Sequence, residues 1–459
     1  MLFENPMVLL GNIKPARLEE DSPKRQVSAM ILINLCTNDT PGNPENSPCH
    51  SSPPRMGNSP VGCSCSIYTY KRHYTIMSTL VTSMNKEKFE YWKLNALYGL
   101  KQAGHEWFKT LQKILQLVGL KQCIGDEGTY TSSNGQLIIG SHVDDLLGIA
   151  PTETDLDKVE QSVEKHVELD KRGKLSKLLG MELTWKKGGV ILTQHTLIES
   201  MSQTFPYTSK RTLPMGILDY AAKDPSEPPT DQKRYQSLIG GLLFIGWMTR
   251  PEISLHVNLL GRRATEPSER NMRTALQVLE YLKSIPSEGI TIKKPTKGKL
   301  SLEIFADASY GGMGARSQTG VLMTFGGQPV EWYSRRQDIV ALSITEVEYI
   351  ADCKGAKDAS WGQQFLQELS VSSEIPILKT DSEGAYNLSQ TAKFLRRSRH
   401  IEHQYHYLRQ QVQSEKLAIY TIPGKENPAD VLTKLTPMSS ILAWKQRWLN
   451  STGQAGTTS

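Results

Sequence analysis

Four carboxylates beyond residue 300 stand where chemistry could use them. Asp307 follows Ile304-Phe305-Ala306, and Asp381 follows Ile377-Leu378-Lys379-Thr380. Glu348 lies in a helical stretch flanked by the core-type residues Val347 and Ile350, and Asp430 comes after the turn Pro423-Gly424-Lys425, where a last helix is expected to start. A carboxylate at a strand end or in a first helical turn is commonly a cap or a solvated group. A set of them at the ends of successive elements has another use. Carboxylate oxygens suit the hard cations Mg²⁺ and Mn²⁺. Two such ions about 4 Å apart can activate a water and stabilise the leaving oxygen of a phosphodiester.

Two further patterns carry chemistry. Ser141-His142-Val143-Asp144-Asp145-Leu146-Leu147 follows the apolar run Leu137–Ile139. Adjacent carboxylates inside an apolar run are costly to bury unless something pairs with them. A tight turn presenting Asp144 and Asp145 to a metal resolves that; an ordinary exposed Asp-Asp turn is the alternative. The stretch 393–409 carries Lys393, Arg396, Arg397, Arg399 and Arg409 against one acid, Glu402, with Tyr405 and Tyr407 interleaved. Cations for phosphate and aromatics for sugar and base make a nucleic-acid strip, with a solvated helix face as the other reading. His400, His403 and His406 drift round the helix and do not form a metal set.

The elements that must position these residues follow from pattern and punctuation. LEIFADAS, GVLMTFGG and VEWYSRR read as three short strands; a helix is expected over 344–369, PILKTDS as a fourth strand and LAIYTIPG as a fifth. Strands followed by helix, strand, helix, strand and helix make a mixed sheet with helices on its faces. Upstream, residues 91–118 have helical spacing, Gly135 separates two strand-like runs, 156–167 looks amphipathic, and Gly188-Gly189 turns a hairpin. Residues 206–232 hold five prolines and read as a tether, and 233–284 as helix broken at Arg250-Pro251. The segment 37–62 is dominated by Pro, Ser, Asn and Gly and is expected to be disordered. Cys63, Cys65 and His73 lack the spacing of a zinc knuckle and read as a loop with free thiols.

At 459 residues, with roughly 150 per domain, about three units are expected. The chain is 38% hydrophobic and 22% charged, with six cysteines, too few for a disulfide scaffold. No run approaches the ~18 apolar residues of a membrane helix. An acidic residue, Glu4, stands where a signal peptide would be basic. An intracellular protein of cytoplasm or nucleus, with no membrane partner, is expected. The formal net charge of +6 permits a polyanionic partner.

From Asp307 to Lys434 the chain resembles the ribonuclease H domain of copia-type retrotransposon polyproteins, through ADASYGG, SITEVEYIA, LKTDSEGA and IPGKENPADVLTK. The resemblance implies that Asp307, Glu348, Asp381 and Asp430 bind a pair of Mg²⁺ or Mn²⁺ ions. It also favours Glu348 over Glu346, because Glu-Tyr-Ile-Ala matches the family's glutamate followed by a bulky apolar residue. ALYGLKQA, the Asp144-Asp145 turn and LLGMEL resemble the palm of the family's reverse transcriptase, with His142 where a tyrosine is usual. YQSLIGGLLF, TRPEI and LEYL resemble the segment that joins palm to ribonuclease H. Lys101 and Gln102 are then expected on nucleic acid.

The implied architecture is an α+β or mixed α/β multidomain chain. It has a divergent, largely disordered N-terminus (1–87), a partial palm (88–205), the tether (206–232) and a helical thumb or connection (233–299). A ribonuclease H-like mixed sheet with flanking helices (300–435) and a tail (436–459) complete it. The family's third palm aspartate has no counterpart in residues 1–90, whose only aspartates are Asp21 and Asp39, and the fingers, integrase and protease portions are missing too. The expected function is therefore metal-dependent hydrolysis of RNA in RNA–DNA hybrids, with DNA polymerisation lost. A catalytically inactive nucleic-acid-binding remnant is the alternative, and other retrotransposon proteins are further partners.

Overall fold

The computed structural model describes residues 18–37, 64–70, 77–80, 91–94, 103–142, 145–167, 169–173, 175–208, 226–293, 300–311, 316–390 and 402–450. The chain divides into two compact units, one of residues 38–175 and 367–371 and the other of residues 1–37, 176–366 and 372–459. The boundary at 175 falls inside the segment read from sequence as a partial palm. Segment 38–62, the prolines between 209 and 225, and Cys63 and His73 lie outside the described residues. Helix α1 (Leu18–Thr37) opens the described chain.

The smaller unit contains β1 (Ser64–Tyr70), β2 (Met77–Leu80), β3 (Tyr91–Leu94), α2 (Ala103–Leu117) and β4 (Leu120–Gln122). After these come β5 (Thr129–Ser132), β6 (Ile138–His142), β7 (Asp145–Ala150), α3 (Glu153–Glu164) and β8 (Leu169–Gly173). Its main sheet has the order β4-β5-β6-β7-β1-β8, and β2 pairs with β3 apart from it. On α2, Leu111, Ile114 and Leu115 recur at helical spacing. They are buried with Tyr130, Ile139, Leu146 and Val163. Thr152 caps α3, its hydroxyl accepting from the Asp155 N–H. Strand β1, paired with both β7 and β8, lies in a stretch read from sequence as preceding any order.

The larger unit begins with β9 (Lys177–Leu178), β10 (Met181–Lys186), β11 (Gly189–Thr193), α4 (His195–Thr204), α5 (Gln232–Met248), α6 (Ser254–Gly261), α7 (Glu269–Ser284) and β12 (Ile290–Lys293). Strand β12 extends the hairpin to the order β12-β11-β10-β9, a strand missing from the purely helical reading of 233–299. The helices close over Ile198, Leu238, Leu242, Ile245, Val257 and Leu279. The helical run breaks at Arg250-Pro251 as expected, into a 3-10 turn Pro251–Ile253.

The five-stranded sheet follows: β13 (Leu302–Ser309), β14 (Gln318–Phe325), β15 (Gln328–Arg336), α8 (Ile344–Glu368), β16 (Ile377–Thr380), α9 (Glu383–Gln390), α10 (Glu402–Gln413), β17 (Ala418–Thr421) and α11 (Met438–Trp448). Its order is β15-β14-β13-β16-β17, antiparallel across β13–β14–β15 and parallel across β13–β16–β17. The mixed α/β class read from sequence is the observed one.

Three segments differ from the sequence reading. Asp430 lies in a 3-10 helix, Pro428–Leu432, rather than in an α-helix. The chain approaches β14 so closely there that a Cβ on Gly320 would stand 2.7 Å from Leu432 and Thr433. The stretch 436–459 is not all tail, since α11 buries Ile441, Trp444 and Trp448. Within the N-terminal 87 residues, α1 buries Met30, Ile31 and Ile33, and the Asn34 amide donates to the Phe325 carbonyl at 2.9 Å.

A buried ion network fastens this unit. Arg250 reaches Glu252 at 2.6 Å and Glu288 at 3.2 Å, and Lys445 of α11 reaches Glu288 at 2.7 Å. Charges this deep hold only when each has a partner.

Candidate metal centre

Parallel pairing brings the C-terminal ends of β13 and β16 to one end of the sheet, and each carries an aspartate there. Asp307 lies two residues before the end of β13 and is fully buried, and Asp381 directly follows β16. Helix α8 adds Glu348. Ligand oxygens of Asp307, Glu348 and Asp381 lie within 4.8 Å of one another, close enough to share one cation. Glu346 is spent elsewhere: its carboxylate accepts from the Leu342 N–H at 2.8 Å while the Ser343 hydroxyl accepts from the Glu346 N–H. Together these bonds cap the start of α8, with the Leu342 N–H in place of the N-cap N–H of a capping box. Glu348, two residues on, points differently, and one of its oxygens accepts from the Ala308 N–H at 3.0 Å.

The fourth carboxylate, Asp430, is not one of the converging three but shares a lysine with Asp307. Lys434, one helical turn beyond Asp430, reaches Asp430 at 2.8 Å and Asp307 at 3.0 Å. The other oxygen of Asp307 accepts from the Thr433 hydroxyl. Asn427 caps the 3-10 helix and donates to the Ala306 carbonyl at 2.9 Å, which ties this turn to β13. A Cβ on Gly424 would come within 3.1 Å of an Asp381 oxygen, so the turn before Asp430 leaves that carboxylate room.

Burial and like charge dominate the electrostatics. Burial pushes Asp307 up to about 6, against the pull of Lys434. Burial, then Asp307 and Asp381, push Glu348 up to about 9. Asp352, one turn beyond Glu348 on α8, is fully buried, with the Thr380 side chain as its polar neighbour. Burial raises it well above the carboxylate range against the downward pull of Thr380, and Asp381 and Asp307 raise it further. Burial alone would lower Lys434, but Asp307 and Asp430 outweigh it and raise its pKa. A cluster with this excess of negative charge fits a divalent cation, whose charge would stabilise the ionised forms.

Sequence reasoning missed Asp352 and Lys434. Each had a signal, standing four residues from a residue already singled out and so on the same helical face.

At the other aspartate pair, β6 and β7 form the expected hairpin, with Asp145 opposite His142 and half-buried. Asp144 lies outside the described residues, as do Lys101, Gln102, Lys393, Arg396, Arg397 and Arg399. Nearby Asp126 is used locally, accepting from the Gly128 N–H at 3.0 Å and the Thr129 hydroxyl at 2.8 Å. In the described part of the basic strip, Tyr407 donates to Ser360 and Arg409 to the Leu388 carbonyl. Those two side chains bind α10 to its neighbours.

Residues 74–218 match the reverse transcriptase (RNA-dependent DNA polymerase) family. The Retrovirus-related Pol polyprotein from transposon TNT 1-94 of Nicotiana tabacum is 28% identical over 370 residues, 77% of this chain and 28% of that polyprotein. A putative transposon Ty5-1 protein of Saccharomyces cerevisiae is 31% identical over 277 residues, 58% of this chain and 89% of that protein. The chain belongs to the copia-type retrotransposon Pol family. This copia-type chain spans about a quarter of the length of the first curated polyproteins it matches. Among solved structures, the foamy viral protease-reverse transcriptase in complex with RNA/DNA hybrid aligns over 82% of this chain and 45% of that one, at 12% identity and a TM-score of 0.45. Among the described residues of this copia-type chain, no helix is long and apolar enough to cross a membrane.

Proposed function

We propose that residues 300–435 hydrolyse the RNA strand of RNA–DNA hybrids with Mg²⁺ or Mn²⁺, and that this chain by itself does not polymerise DNA. The observation that carries the first half is the convergence of Asp307, Glu348 and Asp381 within 4.8 Å at one end of the sheet. These residues would hold the cation, with Asp430 available once Lys434 moves aside. When bound, the cation supplies a lowered water pKa and charge to offset the leaving oxygen.

The chain's own residues set the stage. The Ala308 N–H holds the Glu348 carboxylate, whose ligand oxygen lies within 4.8 Å of those of the two aspartates. Asn427 and Thr433 lock the 3-10 turn against β13 and hold Asp430 beside Asp307. Lys434 supplies positive charge near two carboxylates that would otherwise repel a phosphodiester.

The second half is supported by Asp21, which lies in the helix α1, and by Asp126, which is committed to its own turn. Nucleotide transfer by two metals requires carboxylates that bridge both ions. Neighbours in one turn, such as Asp144 and Asp145, do not surround two ions by themselves.

The test is hybrid cleavage by the full-length protein in Mg²⁺. Asp381→Asn keeps the shape and removes a ligand charge, so cleavage should fall by orders of magnitude. Ca²⁺ should support hybrid binding without cleavage, because its looser coordination does not hold the in-line geometry. Cleavage retained in Asp381→Asn refutes the assignment.

A further inference from the structure

We propose that Arg262, Arg263 and Arg336 form a site for the phosphate backbone of a nucleic-acid duplex, beside the carboxylates and on the same face of the five-stranded sheet. The proposal rests on the hydrolase reading and adds to it a second point of contact with the substrate.

Register gives the common face. Asp307 is opposite Gly320, which is opposite Ser334; two residues along, Ser309 is opposite Gln318, which is opposite Arg336. Residues directly opposed across strands, and residues two apart along one, share a face. Arg336 therefore lies on the face that carries the Asp307 carboxylate. Two strand spacings across and two residues along place its backbone about 12 Å from that of Asp307. This is about a third of the ~34 Å turn of a duplex, so one bound duplex can touch both places.

The end of α6 brings two more cations to the same spot. Arg262 hydrogen-bonds the Gln318 side-chain carbonyl, and the Gln318 amide donates to Asn258 at 3.1 Å and to Ser334 at 2.7 Å. Ser334 in turn donates to the carbonyl of Leu432, in the 3-10 helix that carries Asp430. Arg262 is thus tied through two side chains to the turn that carries Asp430.

Charge identifies the ligand class. Among the described residues, none of the three arginines makes an ion pair with a carboxylate. Arg262 and Arg336 are exposed and Arg263 half-exposed. Burial lowers the Arg262 pKa, and the guanidinium groups of Arg336 and Arg263 lower it further. Three like charges held together without an acid suit a polyanion. The planar guanidinium fork matches phosphate oxygens, which carry no sequence information.

Binding of a fluorescent RNA–DNA hybrid to the full-length protein, read by anisotropy in EDTA over a range of salt, tests this. In the triple variant Arg262→Gln/Arg263→Gln/Arg336→Gln, affinity near physiological salt should fall about tenfold or more. The slope of log affinity against log salt should become shallower by about 2 to 3. Because Arg262 touches Gln318, Arg336→Gln alone is the second variant; it should remove about one unit of slope. The control Lys416→Gln changes an exposed cation that precedes β17, at the opposite end of the sheet from the Asp307 carboxylate, and should match wild type. An unchanged slope in a folded triple variant, or in Arg336→Gln, overturns the proposal; that is also the outcome if the patch serves an acidic protein. The measurement uses no divalent cation, so absence of cleavage in the assay above would refute the hydrolase reading without touching this result.

Discussion

Replacing Lys434 by Met should tighten divalent-cation binding at the carboxylate site about tenfold. The Lys434 ammonium lies 3.0 Å from Asp307 and 2.8 Å from Asp430. Unscreened, at an effective dielectric constant of about 20, each contact would be worth about 5 kcal/mol. The lysine side chain is 44% exposed, however, so solvent reduces this toward the ~0.2 to 1 kcal/mol of surface pairs. The Asp307 carboxyl is fully buried, which places that pair at the upper end. Together the two contacts come to about 1 to 2 kcal/mol. An incoming cation must displace them and approach a like charge. Removing both obstacles gives about 1.4 kcal/mol, or tenfold.

The same change leaves Asp307 without its cation, so the metal-free protein should melt lower and gain more from Mg²⁺ than wild type does. Calorimetric titration with Mg²⁺, paired with thermal melts with and without the ion, measures both effects. Lys434→Arg keeps the charge and should bind Mg²⁺ much as wild type does. Equal Mg²⁺ affinity and equal metal-free melting in wild type and Lys434→Met would refute the reasoning.

Asp352→Leu should stabilise the protein by about 1 to 3 kcal/mol near neutral pH, because it removes a fully buried carboxyl whose ionised form burial and the neighbouring Asp381 and Asp307 disfavour. The folded pKa of Asp352 is raised above its unfolded value, so the wild type loses stability as pH rises; urea melts should show the advantage of Asp352→Leu growing from pH 5 to 8. Binding of Mg²⁺ should release protons and tighten as pH rises from about 6 to about 9, the range set by Asp307 and Glu348, as read by calorimetry in buffers of different ionisation enthalpy. Primer extension by the full-length protein should give no template-dependent product; extension that disappears in Asp144→Asn would reverse that expectation.

The sequence made the five strands of the last sheet legible because each is a short apolar run closed by turn residues. Asp307 and Asp381 were visible as the polar ends of such runs. Glu348 needed more than pattern, since Glu346 is equally acidic and two residues away. The cap that occupies Glu346 involves Leu342 and Ser343, whose part depends on where the helix begins. Helix α1 was illegible for a different reason. Its apolar residues Met30, Ile31 and Ile33 follow a charged first half, and they are buried by strands nearly three hundred residues away rather than by anything local. The Arg250–Glu252–Glu288–Lys445 network is likewise assembled from distant segments. Its charges read one by one as ordinary surface residues. Asp430 was placed correctly in order but in the wrong kind of turn, because the close approach that Gly320 permits is a tertiary fact.

The energetics of the carboxylate end and the packing of the rest of the unit point in opposite directions. Elsewhere, buried charge is matched: Arg250 and Lys445 answer Glu252 and Glu288. At the ends of β13 and β16, Asp307, Glu348 and Asp352 are buried with Asp381 beside them, and the partly exposed Lys434 reaches Asp307. Burial and like charge in this cluster raise Asp307, Glu348 and Asp352 above the usual carboxylate range. Apolar residues of similar volume would stabilise the same sheet at less cost. The fold nevertheless commits two parallel strand ends, a helix turn and a 3-10 turn to holding these groups within reach of one another. Strain of this sort is kept where a ligand relieves it. A divalent cation is the ligand whose charge and oxygen preference would do so, and the exposed arginines on the same face mark the direction from which its phosphodiester would come.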